Sequence, residues 1–171
     1  MTLGVGGLGA YALLSEPALR QERPRGRDVA MGLGSAAGLY GIFRLGDAMA
    51  RRIMPAGDRD IAAIYALRTA AARPAIAAAL ALVIGPGEEL FWRGLVQQNL
   101  QRKFGRLRGM VIASSFYGAV HLVSGNLTLT GAAATAGLFW GALYAREGRI
   151  APLIVSHVSW DLWIFLVAPT G

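Results

Sequence analysis

The sequence predicts an all-α protein, a polytopic transmembrane helical bundle of about five to six spans. Three observations predict it. Of the 171 residues, 54% are hydrophobic and only 16% are charged, whereas ordinary soluble domains carry about 25% charged residues. Mean hydropathy is +0.45. The apolar residues gather into six runs separated by basic or Gly/Pro-containing stretches, and a span takes about 20 apolar residues. The chain reads as one membrane-embedded domain over 1–171, with N-terminal helices and loops of low specificity over 1–73 and a catalytic helical core over 74–168.

The first run, Thr2 to Leu14, is Gly-rich and weakly apolar; it lacks a basic leader and reads as a short first helix rather than a signal peptide. A basic loop with Arg20, Arg23, Arg25 and Arg27 precedes the second run, Val29 to Phe43. A mixed-charge stretch follows from Arg44 to Asp60, with Pro55-Ala-Gly as a breaker. Ile61 to Ala72 reads as an interfacial helix or the start of the next span. Pro74 opens a run to Ile84, which Gly85-Pro86-Gly87 is expected to interrupt. A new helical turn then starts at Glu88 and continues to Leu100, with Pro86 and the acids placed as at a helix N-terminus. Met110 to Val123, Leu127 to Tyr144 and Ile150 to Val167 complete the set. Gly34-x-x-x-Gly38 and Gly137-x-x-x-Gly141 have the spacing of close helix–helix seams.

Net charge is +7, carried almost wholly by arginine. The basic residues sit in short clusters between apolar runs, which suits membrane lipid as a partner and excludes nucleic acid. The positive-inside rule puts loops 101–109 and 146–149 in the cytoplasm and the uncharged tip Ser124-Gly125-Asn126 outside. It leaves the N-terminal half undecided, because Arg51, Arg52 and Arg59 oppose Arg20 to Arg27. No cysteine is present, which removes disulfides, thiolate metal sites and a cysteine nucleophile.

Acids and imidazoles within apolar runs are costly and call for a partner or a purpose. Glu89 and Arg93 are four apart, share a helix face and are expected to pair. Glu88 projects about 100° away, which leaves it without a local cation and available as a base. His121 is expected in mid-span within the Met110–Val123 run, with Tyr117 one turn earlier. His157 and Asp161, again four apart, can hold a water, a metal or a developing oxyanion between them, or simply bridge helices. Glu88, His121, His157 and Asp161 thus put four polar groups on three helices at similar apolar depth.

These residues resemble the signature of the CPBP/Abi family of intramembrane proteases, which includes the type II CAAX prenyl endopeptidases. Its motifs Glu-Glu-x-x-x-Arg, Phe-x-x-x-His and His-x-x-x-Asn/Asp match Glu88-Glu89-Leu-Phe-Trp-Arg93, Tyr117-Gly-Ala-Val-His121 and His157-Val-Ser-Trp-Asp161. The likeness covers Pro86 to Leu166. It implies that Glu88 and His121 activate a water, that His157 and Asp161 stabilise the oxyanion or position substrate, and that Glu89 and Arg93 brace the site. Tyr117 departs from the family's phenylalanine and adds a hydroxyl to be satisfied. Asp161 stands where the prenyl-processing enzymes have asparagine, so it must be protonated, orient His157 or bind metal. A divalent metal such as zinc on Glu88, His121, His157 and Asp161 is compatible with that donor set.

Rival motifs are poor. Gly4-Val-Gly6-Gly7-Leu-Gly9 fits a dinucleotide fingerprint, but no strand precedes it. No Walker loop, His-Glu-x-x-His motif or rhomboid-like serine site occurs. The expected function is therefore an integral membrane endopeptidase of a bacterial-type plasma membrane, cutting a membrane-associated or lipidated peptide. The alternatives are a non-catalytic membrane scaffold or immunity-type binding protein, and a proton or cation relay.

Overall fold

The computed structural model describes residues 2–53 and 57–169, and these are all-helical with no strand. The helices are α1 (Thr2–Ser15), α2 (Pro17–Gln21), α3 (Gly26–Ile53), α4 (Gly57–Ala66), α5 (Arg73–Phe104), α6 (Arg106–Val120), α7 (Leu127–Glu147) and α8 (Ala151–Val167). Two of them, α3 with 28 residues and α5 with 32, are each long and apolar enough to cross a membrane. Helices α1 and α8 are apolar but shorter. Several polar side chains lie inside the bundle and many large apolar ones outside it: Glu89, Arg93, Gln97, Ser156 and His157 are buried, while Leu3, Leu14, Leu82, Leu107 and Val123 are exposed. Such a surface suits lipid, where polar groups must find their partners inside the protein.

The segment Gly85-Pro86-Gly87 does not interrupt the chain, contrary to the sequence expectation. Helix α5 runs through it, so Glu88 and Glu89 lie in a helix interior rather than at an N-terminus. A wide π turn over Leu80–Ile84 precedes the proline, with the Gly85 N–H donating five residues back to the Leu80 carbonyl. That local widening absorbs the hydrogen bond that proline cannot make. The two glycines serve packing instead. A Cβ on Gly85 would fall 2.9 Å from the Val158 side chain, and one on Gly87 would fall 2.9 Å from the Val5 carbonyl oxygen. The Gly-rich α1 crosses there, with Gly9 facing the Gly87 Cα, so the candidate dinucleotide fingerprint is a helix-crossing face.

Helix α3 also outruns its expected end at Phe43 and continues to Ile53 through Arg44, Asp47 and Arg51. Those charges alternate in sign three and four residues apart, a spacing that supports helix rather than breaking it. The expected breaker at Pro55 and Ala56 lies outside the described residues. Helix α4 is separate from the following span, ended by a 3₁₀ turn over Leu67–Thr69. Inward-facing Leu39 and Phe43 of α3 join Ala136, Trp140 and Tyr144 of α7 and Leu153 and Ile164 of α8 in the core. Gly32 permits the α3–α8 approach, since a Cβ there would collide with Val155. Gly34 and Gly38 face outward with nothing near them, so that predicted seam is absent among the described residues. The Gly137/Gly141 seam is present, set against Tyr117 and Ser114 of α6.

One end of the bundle is locked by charge. Arg149 donates to both Asp28 oxygens, at 3.1 and 2.6 Å, and this bond holds its guanidinium above the usual range. Glu22 accepts from the N–H groups of Ile150 (3.1 Å) and Ala151 (2.7 Å), capping α8 from a distant loop.

Candidate active site

The four-residue spacing of Glu89, Arg93 and Gln97, through a stretch of α5 that is π-helical over Leu90–Gln97, brings them to one face, where all three are buried. Glu89 Oε1 accepts from Arg93 Nη1 at 2.9 Å. Arg93 extends to the Gly137 carbonyl at 3.4 Å and lies over the Tyr117 ring, 4.6 Å from its centroid. Gln97 donates to the Gly141 carbonyl at 2.8 Å, and Ser114 to the Gly137 carbonyl at 2.9 Å. The glycine seam therefore supplies acceptors as well as close approach, and this stripe bolts α5 and α6 to α7. Each of these buried side chains makes at least one hydrogen bond, which offsets the cost of burial, although Glu89 Oε2 has no partner among the described residues.

Glu88 points away from that stripe, as its one-residue offset requires, and it is half-buried. Its Oε2 accepts from the Tyr117 hydroxyl at 2.6 Å. The hydroxyl that distinguishes this chain from the Phe-x-x-x-His pattern is thereby satisfied. His121 stands at the C-terminal end of α6, where the chain tightens into a 3₁₀ turn over His121–Ser124, rather than in mid-helix. Its Nδ1 is 2.8 Å from the Tyr117 carbonyl oxygen. A carbonyl only accepts, so Nδ1 carries the proton and Nε2 keeps its lone pair in the neutral ring.

His157 is buried and contacts two carboxylates. Its Nδ1 is 2.7 Å from Glu89 Oε1, and its Nε2 is 3.7 Å from Asp161 Oδ2. The second separation is too long for a direct hydrogen bond and leaves a close polar contact. The imidazole stacks on Trp140 with centroids 3.9 Å apart, and the Trp140 indole donates to Ser156 at 3.0 Å.

Glu88, Tyr117, His121, His157 and Asp161 all line one cavity of about 220 Å³. Its remaining wall is mostly apolar and includes Phe43 of α3 and Ile61, Ile64 and Tyr65 of α4. The candidate residues therefore fall within 74–168, while 1–73 helps to close the space around them. Among the described residues, no group of three or more His, Asp or Glu side chains is arranged to hold a metal ion. The four residues considered as zinc ligands instead spend three of their donor atoms on protein partners: Glu88 Oε2 on Tyr117, His121 Nδ1 on a carbonyl, and His157 Nδ1 on Glu89.

Sequence reasoning missed three contributors. Gln97 was legible, since it follows Arg93 by four. Trp140 lies inside the Gly137-x-x-x-Gly141 seam, but its stacking on His157 depends on how α7 meets α8. The α4 wall left no local signal at all.

No curated protein and no solved structure matches the chain. The sequence model of the Rce1-like type II CAAX prenyl endopeptidases matches residues 70–163, a stretch that holds all seven residues singled out above. This span is more than half of the chain, and it holds Glu88, Tyr117, His121, His157 and Asp161 of the cavity wall. The protein thus belongs to the type II CAAX prenyl endopeptidase Rce1-like family, and is a membrane protein of protease type.

Proposed function

We propose that the chain is an intramembrane endopeptidase in which Glu88 is the general base and His121 its partner. The observation that carries this reading is the convergence of Glu88, His121, His157 and Asp161 on one largely apolar cavity. Glu88 takes a proton from a water, and the oxygen attacks the peptide carbonyl. The proton then passes to the leaving amine as the C–N bond breaks. His121 Nε2, with its lone pair free, accepts a hydrogen bond from the same water and orients it. Removal from bulk solvent strengthens each of these interactions.

His157 stands between Asp161 and Glu89, and Glu89 also holds Arg93. As an imidazolium braced through Nδ1 by Glu89, it offers its Nε2 proton to the developing oxyanion. Asp161 lies 3.7 Å from that same nitrogen and lines the same cavity, so in this scheme it stays protonated and leaves the Nε2 proton to the oxyanion. No step in this scheme uses a metal.

The substrate class is a membrane-associated or lipidated peptide, in keeping with the family and with a cavity inside an apolar bundle. The test uses a farnesylated, internally quenched peptide ending in a CAAX box, with purified protein in liposomes. Wild type releases fluorescence, and Glu88→Gln, at equal abundance, loses about 10²–10⁴-fold in rate. Equal turnover by the two proteins refutes the assignment. An inactive wild type of full stability favours a scaffold, in which the same groups only hold helices together.

A further inference from the structure

We propose that Tyr117 is a positioning residue for this site: its side chain fixes Glu88 and its main chain fixes His121. The inference rests on the proteolytic reading of those two residues and adds to it.

The side-chain half follows from one short contact. At 2.6 Å the Tyr117 hydroxyl donates to Glu88 Oε2, a length typical of charge-assisted O–H···O⁻ bonds. Oε2 is thereby occupied, and Oε1 is the oxygen left to meet a water. A carboxylate free to rotate about its terminal bond samples a broad two-fold range; this bond selects one setting.

The hydroxyl is itself held firmly. Tyr117 is buried, and its ring lies beneath the Arg93 guanidinium at 4.6 Å. It meets Trp92 edge-to-face at 5.5 Å and His121 at 5.1 Å. The fourth side is Gly137, where a Cβ would come 2.9 Å from the tyrosine Cδ1, so only glycine leaves room for the ring. Four neighbours on two other elements and its own helix thus fix a phenol whose single polar atom ends on the candidate base.

The main-chain half is independent of the hydroxyl. The Tyr117 carbonyl accepts from His121 Nδ1 at 2.8 Å, which sets the tautomer and turns Nε2 into the accepting nitrogen. One residue therefore aligns a carboxylate on α5 and an imidazole at the end of α6. Phenylalanine, which the family signature has at this position, retains the second function and lacks the first. The carboxylate clamp is thus a property of this chain.

The test compares wild type, Glu88→Gln and Tyr117→Phe in the farnesylated-peptide assay, beside difference infrared spectra of the carboxylate region. Tyr117→Phe is expected to lower kcat about tenfold with KM unchanged. It should also move the carboxylate band that Glu88→Gln deletes, with thermal stability retained. A Tyr117→Phe protein that matches wild type in kcat and infrared band overturns the proposal, while loss of activity in Glu88→Gln leaves the proteolytic reading intact. Turnover by Glu88→Gln equal to wild type removes both. Should Tyr117→Phe fail to fold, 3,5-difluorotyrosine placed at position 117 keeps the ring and strengthens the donor. The Glu88 band must then shift, and an unchanged band overturns the proposal.

Discussion

Glu89 Oε1 and His157 Nδ1 lie 2.7 Å apart where α5 meets α8, and the same carboxylate oxygen also receives Arg93 at 2.9 Å. One buried atom therefore joins a cation on its own helix to an imidazole on another. The adjacent glutamates divide their work by direction: Glu89 faces the packed interior, and Glu88 faces the cavity.

That division predicts opposite phenotypes. Glu89→Ala strands the Arg93 charge and the His157 ring in the interior, and breaking a buried pair by removing one partner costs about 3–5 kcal/mol. Denaturant or thermal unfolding in detergent should register the loss, and activity should fall at least as far as the folded fraction, because His157 also loses its brace. Glu88→Gln keeps an acceptor for Tyr117 and should change stability by less than about 1 kcal/mol. Equal destabilisation by both substitutions contradicts the division.

The glycines are separable in the same way. Gly87→Val puts methyl groups where Val5 and its carbonyl already stand, and overpacking of this kind costs about 1–3 kcal/mol. Gly34→Ala and Gly38→Ala point into open space, and in a helix interior alanine is favoured over glycine by about 0.5–1 kcal/mol. The double alanine variant should unfold at a temperature equal to or above wild type. A drop comparable with Gly87→Val would mean that the outer face of α3 packs against another chain.

Helix α4 closes the cavity with Ile61, Ile64 and Tyr65, and its N-terminal end is tied down at Asp60. Thr128 donates to Asp60 Oδ2 at 3.3 Å, and the Asn126 amide donates to the Asp60 carbonyl at 2.9 Å. Asp60→Ala removes the side-chain acceptor, a change worth about 1–3 kcal/mol for a buried group. Because the chain has no cysteine, the effect can be read cleanly. Ala133→Cys, on the cavity wall, should react with a water-soluble maleimide about tenfold faster when combined with Asp60→Ala. An unchanged rate would show that this bond does not hold α4 in place.

Residue spacing made the inner half of the site legible and left the outer half obscure. The pair Glu89–Arg93, the outward turn of Glu88 and the seam at Gly137/Gly141 are all legible from helical spacing, a local rule that holds for the pair even though α5 is π-helical over Leu90–Gln97. Gly85-Pro86-Gly87 misled because proline and glycine carry a strong local preference for breaking helices, while here the preceding π turn and the neighbours Val5 and Val158 decide the outcome. The same blindness explains Gly34 and Gly38: spacing identifies a small-residue face but not what covers it. His121 was assigned to mid-helix because its run stays apolar to Val123, whereas the helix tightens at that residue. The α4 wall and the Trp140–His157 stack arise from contacts between distant elements, which no window of sequence contains.

Trp140 gives the last prediction, because it couples core packing to the orientation of His157. It is almost fully buried, stacks on the imidazole at 3.9 Å and meets Trp160 edge-to-face at 5.7 Å. Trp140→Ala empties a large core volume and should cost about 3–5 kcal/mol. Trp140→Phe is the sharper experiment. It keeps an aromatic face for His157 but removes the N–H that Ser156 accepts at 3.0 Å, so Ser156 loses a partner in a buried position. A stability loss of about 1–3 kcal/mol is expected from the smaller ring and the unpaired hydroxyl together. Ser156→Ala in the Trp140→Phe background takes away that unpaired group and should recover part of the loss, because deleting both members of a buried hydrogen bond is milder than deleting one. If the double variant is less stable than Trp140→Phe alone, Ser156 serves a contact other than the indole.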